Sequence, residues 1–390
     1  MKTKTKIISF ALAAVTCLTP ALTGCNSRKI TLETYSEPFD IHTAEQNYYL
    51  GDSYDSVVTY ARGLEELSRP EPVTLKWKDT AVSGAYTVEI SENKTFTDKL
   101  TYTASETQVR VYNLKIATDY YWRVTSESTT SATGTFSTVS TGPRNLYIDG
   151  ITNVRDLGGY VTASGERVVQ GLLIRGGRLN KSDVNDDSYA TLPEVFVPEI
   201  TQSGANVFAN ELKIKTEIDF RIHDLTTDGQ YRNGYPVDTP LKSAVEIAYN
   251  IQGVNYHSIE MNGGSKMLTH DLNVPALKNI MELLSDKSNY PVYYHCNIGT
   301  DRTGLLSYLL NALCGVAQED LYRDYLFSNF GTIGGSRELG ASNNTFMTQL
   351  DDGSIYAGAT LQERVESYFK SIGVSESTYN AVRDIMLGRI

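Results

Sequence analysis

The sequence predicts a multidomain chain in which an all-β sandwich is followed by a larger α/β domain. Three observations carry this. The 390 residues leave room for two or three domains. From residue 71 to about 140, apolar and polar residues alternate at period two in short runs separated by turn residues. Over residues 290–310 the pattern changes to a short apolar strand, a polar loop and a buried helix.

Taken in order, the chain opens on a targeting segment. Lys2, Lys4 and Lys6 form a basic start, and residues 7–18 are an apolar stretch short for a bilayer span. Leu22-Thr23-Gly24-Cys25 resembles the lipobox of bacterial lipoproteins. The resemblance implies a signal peptide over residues 1–24, cleavage before Cys25 and diacylglycerol on the Cys25 sulfur. The protein is then exported and anchored to the bacterial cell membrane or envelope as a lipoprotein. Residues 25–68 follow as a tether or N-terminal extension. They are polar, carry Tyr35, Tyr48, Tyr49, Tyr54 and Tyr60, and are expected in part to pair with the next domain.

The whole chain has a formal charge of −11; loss of the three lysines leaves 32 basic against 46 acidic residues, or −14. So acidic a surface argues against nucleic acid as a partner and against broad electrostatic adhesion to anionic lipid. The lipid on Cys25 therefore has to carry the membrane contact.

Residues 69–141 are the sandwich. Val73 to Trp77, Tyr86 to Ile90, Val109 to Tyr112 and Tyr120 to Val124 alternate, with turns such as Ser83-Gly84 and Glu92-Asn93 between them. The pattern resembles an immunoglobulin-like module of fibronectin type III kind. Trp77 stands where that family buries an early Trp, and Leu114 to Tyr120 resembles its tyrosine corner, with Ile116 where Pro is common. The aromatics read as core. A protein or glycan partner for this module is carried as the alternative.

Gly142-Pro143 marks a linker, and residues 146–390 form the α/β domain. Its centre is His295-Cys296-Asn297-Ile298-Gly299-Thr300-Asp301-Arg302-Thr303-Gly304. Residues 291–295 suit a buried strand and residues 305–313 a buried helix, with a loop from Cys296 to Arg302 between. Backbone N–H groups at a helix N-terminus cradle anions. Gly299 lets the backbone approach a ligand, and Arg302 can hold two phosphate oxygens in its fork. The same charges favour the Cys296 thiolate, a nucleophile at neutral pH. Thr303 can donate to that sulfur, while His295 braces the loop.

This motif, H-C-x-x-G-x-D-R-T-G, resembles the signature of the protein tyrosine phosphatase superfamily of cysteine-dependent phosphatases. Asp before Arg resembles a bacterial group that includes secreted enzymes with some activity on phosphoinositides. The resemblance implies a phosphate site built from Asn297, Ile298, Gly299, Thr300, Asp301 and Arg302. It implies Asp301 as general acid, with Asp219 and Asp224 as alternatives. The group usually has Lys where this chain has Thr300, which removes a cation and weakens the link to phosphoinositides. The implied chemistry needs no metal or other cofactor.

Further motifs extend the likeness to residues 146–386. Asn153-Val-Arg155-Asp156-Leu-Gly-Gly159 resembles the N-x-R-D-L-G-G motif that opens the catalytic domain of this group, and Arg155 with Asp156 is expected to form an ion pair. Arg175-Gly176-Gly177-Arg178-Leu179 resembles the R-S-G-x-L turn, with Gly176 for Ser. Asp219-Phe220-Arg221 resembles a D-L-R strand end, which places Asp219 to orient Arg302, to move a proton or to pair with Arg221. Residues 181–210 are long enough for a specificity loop. Helices are expected over 275–284, 318–327, 361–369 and 377–387, and residues 331–358 read as a lid or as a disordered loop.

Of the four cysteines, Cys17 is removed and Cys25 lipidated, which leaves Cys296 and Cys314. An intervening helix would carry these two beyond disulfide range, so Cys314 reads as a small core residue. No metal-ligand spacing appears among the five histidines and two remaining cysteines. The expected activity is hydrolysis of phosphotyrosine-type monoesters, in a phosphorylated protein or a small phosphate ester, through a cysteinyl-phosphate. Two alternatives remain: the same chemistry on a phosphoinositide or inositol phosphate, and an inactive surface binding lipoprotein. Sulfur transfer on a rhodanese-type loop fits Arg302-Thr303-Gly304 poorly.

Overall fold

The computed structural model describes residues 28–81, 84–180, 199–222 and 242–390. The signal segment, Cys25, Asp224 and residues 181–198 of the expected specificity loop lie outside them. Among the described residues, no helix is long and apolar enough to cross a membrane.

Eight strands make the N-terminal sandwich: β1 Ile30–Leu32, β2 Val73–Asp79, β3 Tyr86–Ser91, β4 Leu100–Ala104, β5 Gln108–Val111, β6 Asp119–Ser126, β7 Thr129–Thr130 and β8 Gly134–Ser137. One sheet has the order β1-β2-β5 and the other β4-β3-β6-β7, with β8 also paired to β6. Period-two alternation sends Leu75, Trp77, Val88, Ile90, Trp122 and Val124 into a shared core. At the corner before β6, the Tyr120 hydroxyl accepts the Lys115 N–H at 2.8 Å.

The sheet of the α/β domain has the order β12-β11-β13-β10-β9, from β9 Arg155–Asp156, β10 Leu173–Gly176, β11 Thr216–Asp219, β12 Asn255–Ser258 and β13 Val292–His295. β10 and β11 flank β13 in parallel, β12 runs parallel to β11, and β9 is antiparallel to β10. All four residues of β13 are buried, as a parallel strand covered on both faces requires. Ten α-helices are described: α1 Ala44–Leu50, α2 Val57–Tyr60, α3 Gln202–Asn206, α4 Ala244–Tyr249, α5 Asn273–Leu284, α6 Asp301–Leu313, α7 Gln318–Leu326, α8 Thr345–Asp351, α9 Leu361–Ser371 and α10 Glu376–Met386. α6 follows β13 and is buried throughout from Thr303 to Leu313, which is why its sequence is apolar on every side.

Residues 28–68, read from sequence as a tether or extension, are built into both bodies. β1 adds to the edge of β2, and Arg28 pairs with Asp79 at 2.6 Å. Tyr49, Val57 and Ala61 supply apolar surface to the core of the α/β domain. Buried Gln46 accepts from Asn145 and donates to the carbonyls of Leu67 and Arg69. The sandwich is therefore inserted between two parts of one α/β body.

The junction at 142–143 is short and polar. Arg144 donates to Asp156 at 2.7 Å and to the carbonyls of Leu114 and Asn113 at the base of the sandwich. Gln170 exchanges two hydrogen bonds with the Ile116 backbone, and Asn113 accepts the Tyr147 N–H at 2.6 Å. The expected Arg155–Asp156 pair does not form. Neighbouring strand residues point to opposite faces, so Asp156 meets Arg144 while Arg155 meets Asp324.

Arg144→Ala leaves a fully buried Asp156 carboxylate with only the amides of Gly158 and Gly171. Removing one partner of a buried ion pair costs about 3–5 kcal/mol. We expect a corresponding drop in the chemical unfolding midpoint; an unchanged midpoint would show that the junction contributes little.

Candidate active site

β13 ends at His295 and α6 begins at Asp301, so Cys296 to Thr300 turn at the C-terminal end of the central strand. The helix begins four residues before its apolar run, inside the loop expected to extend to Arg302. Gly299 has φ +70°, and a Cβ there would come within 2.3 Å of the Gly176 carbonyl. The loop carbonyls are held outward. Asn153 Nδ2 donates to Ile298 O at 3.0 Å and to Gly299 O at 3.1 Å. Arg175 adds a bond to Gly299 O at 2.9 Å, and the Arg178 amide takes Asn297 O at 3.1 Å. In a trans peptide the next N–H points opposite its carbonyl, so the amides of Ile298, Gly299 and Thr300 turn to the other side. They join the unpaired N–H groups at the start of α6 as an anion cradle.

Cys296 lies at the floor of this loop and is 2% exposed, not on the surface. Burial pushes its thiol up, but the Arg302 charge and hydrogen bonds from Thr303 outweigh it and hold the thiol below its ordinary range. The Thr303 hydroxyl is buried with no oxygen or nitrogen partner, which leaves it for the sulfur. Arg302 is steered by two backbone carbonyls, Phe220 at 2.9 Å and Met261 at 3.2 Å. His295 is fully buried between Glu217, at 3.0 Å from Nε2, and the Cys296 carbonyl, at 3.1 Å from Nδ1. Burial lowers its pKa, but Asp219 and Glu217 raise it further, and the net direction is up. Both partners carry acceptor oxygens, so the ring is held at the entry of the loop through its two nitrogens.

Asp219 does not orient Arg302. Arg221, two residues on, folds back and takes its carboxylate with Nε, Nη2 and its own amide, at 2.6–3.0 Å. Tyr256 donates to the same carboxylate at 2.8 Å. The group is fully buried. The strand end steers Arg302 through the backbone of Phe220 instead.

Asp301 opens α6 and is partly exposed. Tyr325 and Asn343 donate to it at 3.0 and 2.8 Å, and Arg337 approaches at 3.3 Å. Arg337 and Asn343 come from the 331–358 segment, which contains α8 and meets the first residue of α6. Beneath it, buried Asp324 pairs with Arg155 at 2.8 Å and Arg175 at 2.5 Å. Burial pushes the Asp324 carboxyl up, and the two guanidiniums more than reverse this. Sequence reasoning missed Glu217, Asp324, Arg337 and Asn343. Their partners are distant along the chain, and no local pattern marks them. Among the described residues, no group of three or more His, Cys, Asp or Glu is placed to hold a metal.

A lowered thiol under an amide-lined loop, with an arginine beside it, defines a site of the cysteine-dependent phosphatase class. Residues 146–388 match the tyrosine phosphatase family, and the chain belongs to that family. That match identifies these residues as a phosphatase domain. A Cupriavidus necator protein provisionally named a tyrosine-protein phosphatase is 27% identical over 213 residues, covering 48% of this chain and 64% of the relative. The chain thus spans under two thirds of that relative's length. Two solved structures of the Siw14 catalytic core, one the PP-IP phosphatase Siw14 from S. cerevisiae in complex with citrate, are 17% identical. They cover 40% of this chain and 78% of their own, with TM-scores of 0.27 and 0.26, too low to carry an argument.

Burial pushes the other thiol, Cys314, up to about 12. Iodoacetamide should therefore modify Cys296 alone at neutral pH, with a midpoint below the roughly 8.5 of a free thiol. Arg302→Ala should raise that midpoint. Peptide mapping across a pH series checks both; a midpoint at or above that of a free thiol would contradict the electrostatics.

Proposed function

We propose that the protein hydrolyses phosphate monoesters of phosphotyrosine type through Cys296. The observation that carries this is the lowered Cys296 thiol beneath the inward-facing loop amides and beside Arg302. The thiolate attacks phosphorus in line, and the P–O bond to the leaving group breaks. Arg302 and the loop amides hold the three equatorial oxygens. Asp301, the partly exposed carboxyl beside Arg302, gives its proton to the leaving oxygen. Its carboxylate then takes a proton from water, which attacks the cysteinyl-phosphate. The P–S bond breaks, inorganic phosphate leaves and the thiolate returns. Burial of Asp219 against Arg221 favours Asp301 over Asp219 for this role.

We read the protein as an exported lipoprotein attached through Cys25, with the sandwich as a fibronectin type III-like module. The chain leaves the sandwich near Arg28 and Asp79, at the far end from the junction. Junction contacts fall on Gln170 and Glu211, just before β10 and β11, whereas the phosphate loop follows the other end of the sheet. Arg28, the first described residue, thus lies on the opposite side of the molecule from the site. This supports a phosphorylated protein or small ester over a phosphoinositide of the anchoring bilayer.

Hydrolysis of p-nitrophenyl phosphate by residues 26–390 should disappear in Cys296→Ser. Asp301→Asn should lower turnover roughly 10²–10⁴-fold. The loss should be smaller for an ester whose leaving group needs no proton. Turnover unchanged in Asp301→Asn would move the acid elsewhere.

A further inference from the structure

We propose that residues 61–68, before the sandwich and outside the family domain of residues 146–388, position the active site through Ser68 and Gly63. The inference rests on the roles given above to Cys296 and Asp301.

One arm reaches the phosphate loop. The buried Ser68 hydroxyl accepts the Asn153 N–H at 3.1 Å and donates to Glu66. Asn153 is fully buried and sits at φ +60°, a region that residues with side chains seldom adopt. A buried amide needs a partner. Ser68 supplies it, and so holds Asn153 in the conformation from which its side chain reaches both Ile298 O and Gly299 O.

The other arm reaches Asp301. The Gly63 carbonyl accepts the amides of Ile333, Gly334 and Gly335 at 2.9, 3.0 and 3.2 Å. The Gly63 and Leu67 amides donate to Asn329 O at 2.7 Å and Phe330 O at 2.6 Å. The Asn329 side chain then clasps the Arg337 backbone, accepting its N–H at 2.6 Å and donating to its carbonyl at 2.9 Å. Arg337 and, six residues on, Asn343 meet Asp301. Gly63 has φ +72°, and a Cβ there would lie 2.6 Å from Gly335 O, so any side chain displaces this turn. One strap thus sets the loop that holds phosphate and the segment that holds the acid.

The test uses Ser68→Ala, Ser68→Thr and Gly63→Ala in the full processed chain. Two readouts are needed: the pH midpoint of Cys296 alkylation, and kcat and KM for p-nitrophenyl phosphate. Ser68→Ala should raise the alkylation midpoint and raise KM about tenfold, within the range expected for a small misplacement. Ser68→Thr, which keeps the hydroxyl, should restore both. Gly63→Ala should keep the wild-type midpoint and lower kcat about tenfold. Wild-type midpoint, KM and kcat in both alanine variants, with only a lower melting temperature, would make the strap a stabilising element and overturn the proposal. If Ser68→Ala does not fold, an unchanged kcat in Gly63→Ala overturns it alone. A wild-type protein that hydrolyses nothing, yet shows a low midpoint that Ser68→Ala raises, would reject the proposed activity and leave the positioning intact.

Discussion

The outward orientation of three loop carbonyls, those of Asn297, Ile298 and Gly299, is the constraint on which the catalytic body depends. The amides beyond them can face a ligand only while these oxygens are held elsewhere. The holders are buried polar groups: Asn153, the Arg175 guanidinium and the Arg178 amide. Burying Arg175 is costly, and its pKa is lowered by burial and then by the like charge of Arg155. Asp324 offsets this by bridging both guanidiniums. Two cations and one anion leave a net positive charge under the loop, the same sign that the α6 N-terminus and Arg302 present to the Cys296 sulfur.

Around that core the chain is arranged discontinuously. Residues 44–68 and 144–390 share the α/β body, and the sandwich is placed between them. Its base is fixed by Arg144, Asn113 and Gln170 through buried and partly buried hydrogen bonds, so the two bodies are joined by more than a linker. The 331–358 segment closes the arrangement over Asp301, with Tyr325 from α7 below it.

Much of this was legible in the sequence, and the reasons are local. The strand, loop and helix around Cys296 declare themselves because a buried parallel strand, a glycine-bearing turn and an all-round apolar helix each impose a distinct pattern. The sandwich strands show because one face of each is buried. What could not be read depends on contacts between distant residues. The sequence leaves Asp219 open to Arg302 or to Arg221, and only the folded strand end assigns it to Arg221. Arg155 and Asp156 are adjacent, yet the strand pleat separates them. Residues 28–68 resemble a tether because the apolar side chains they send into the two cores, among them Ile30, Ile41, Tyr49, Val57 and Ala61, do not repeat at a recognisable period. Glu217 and Asp324 carry no local mark of their roles beneath the loop.

The central claim is that Cys296 becomes covalently phosphorylated during turnover. Rapid acid quench of the protein with a radiolabelled phosphate monoester, followed by peptide mapping, tests it most directly. The account predicts acid-stable label on the peptide containing Cys296, decaying at the rate of phosphate release and absent from Cys296→Ser. Steady turnover with label on another residue, or with none at any quench time, would contradict it.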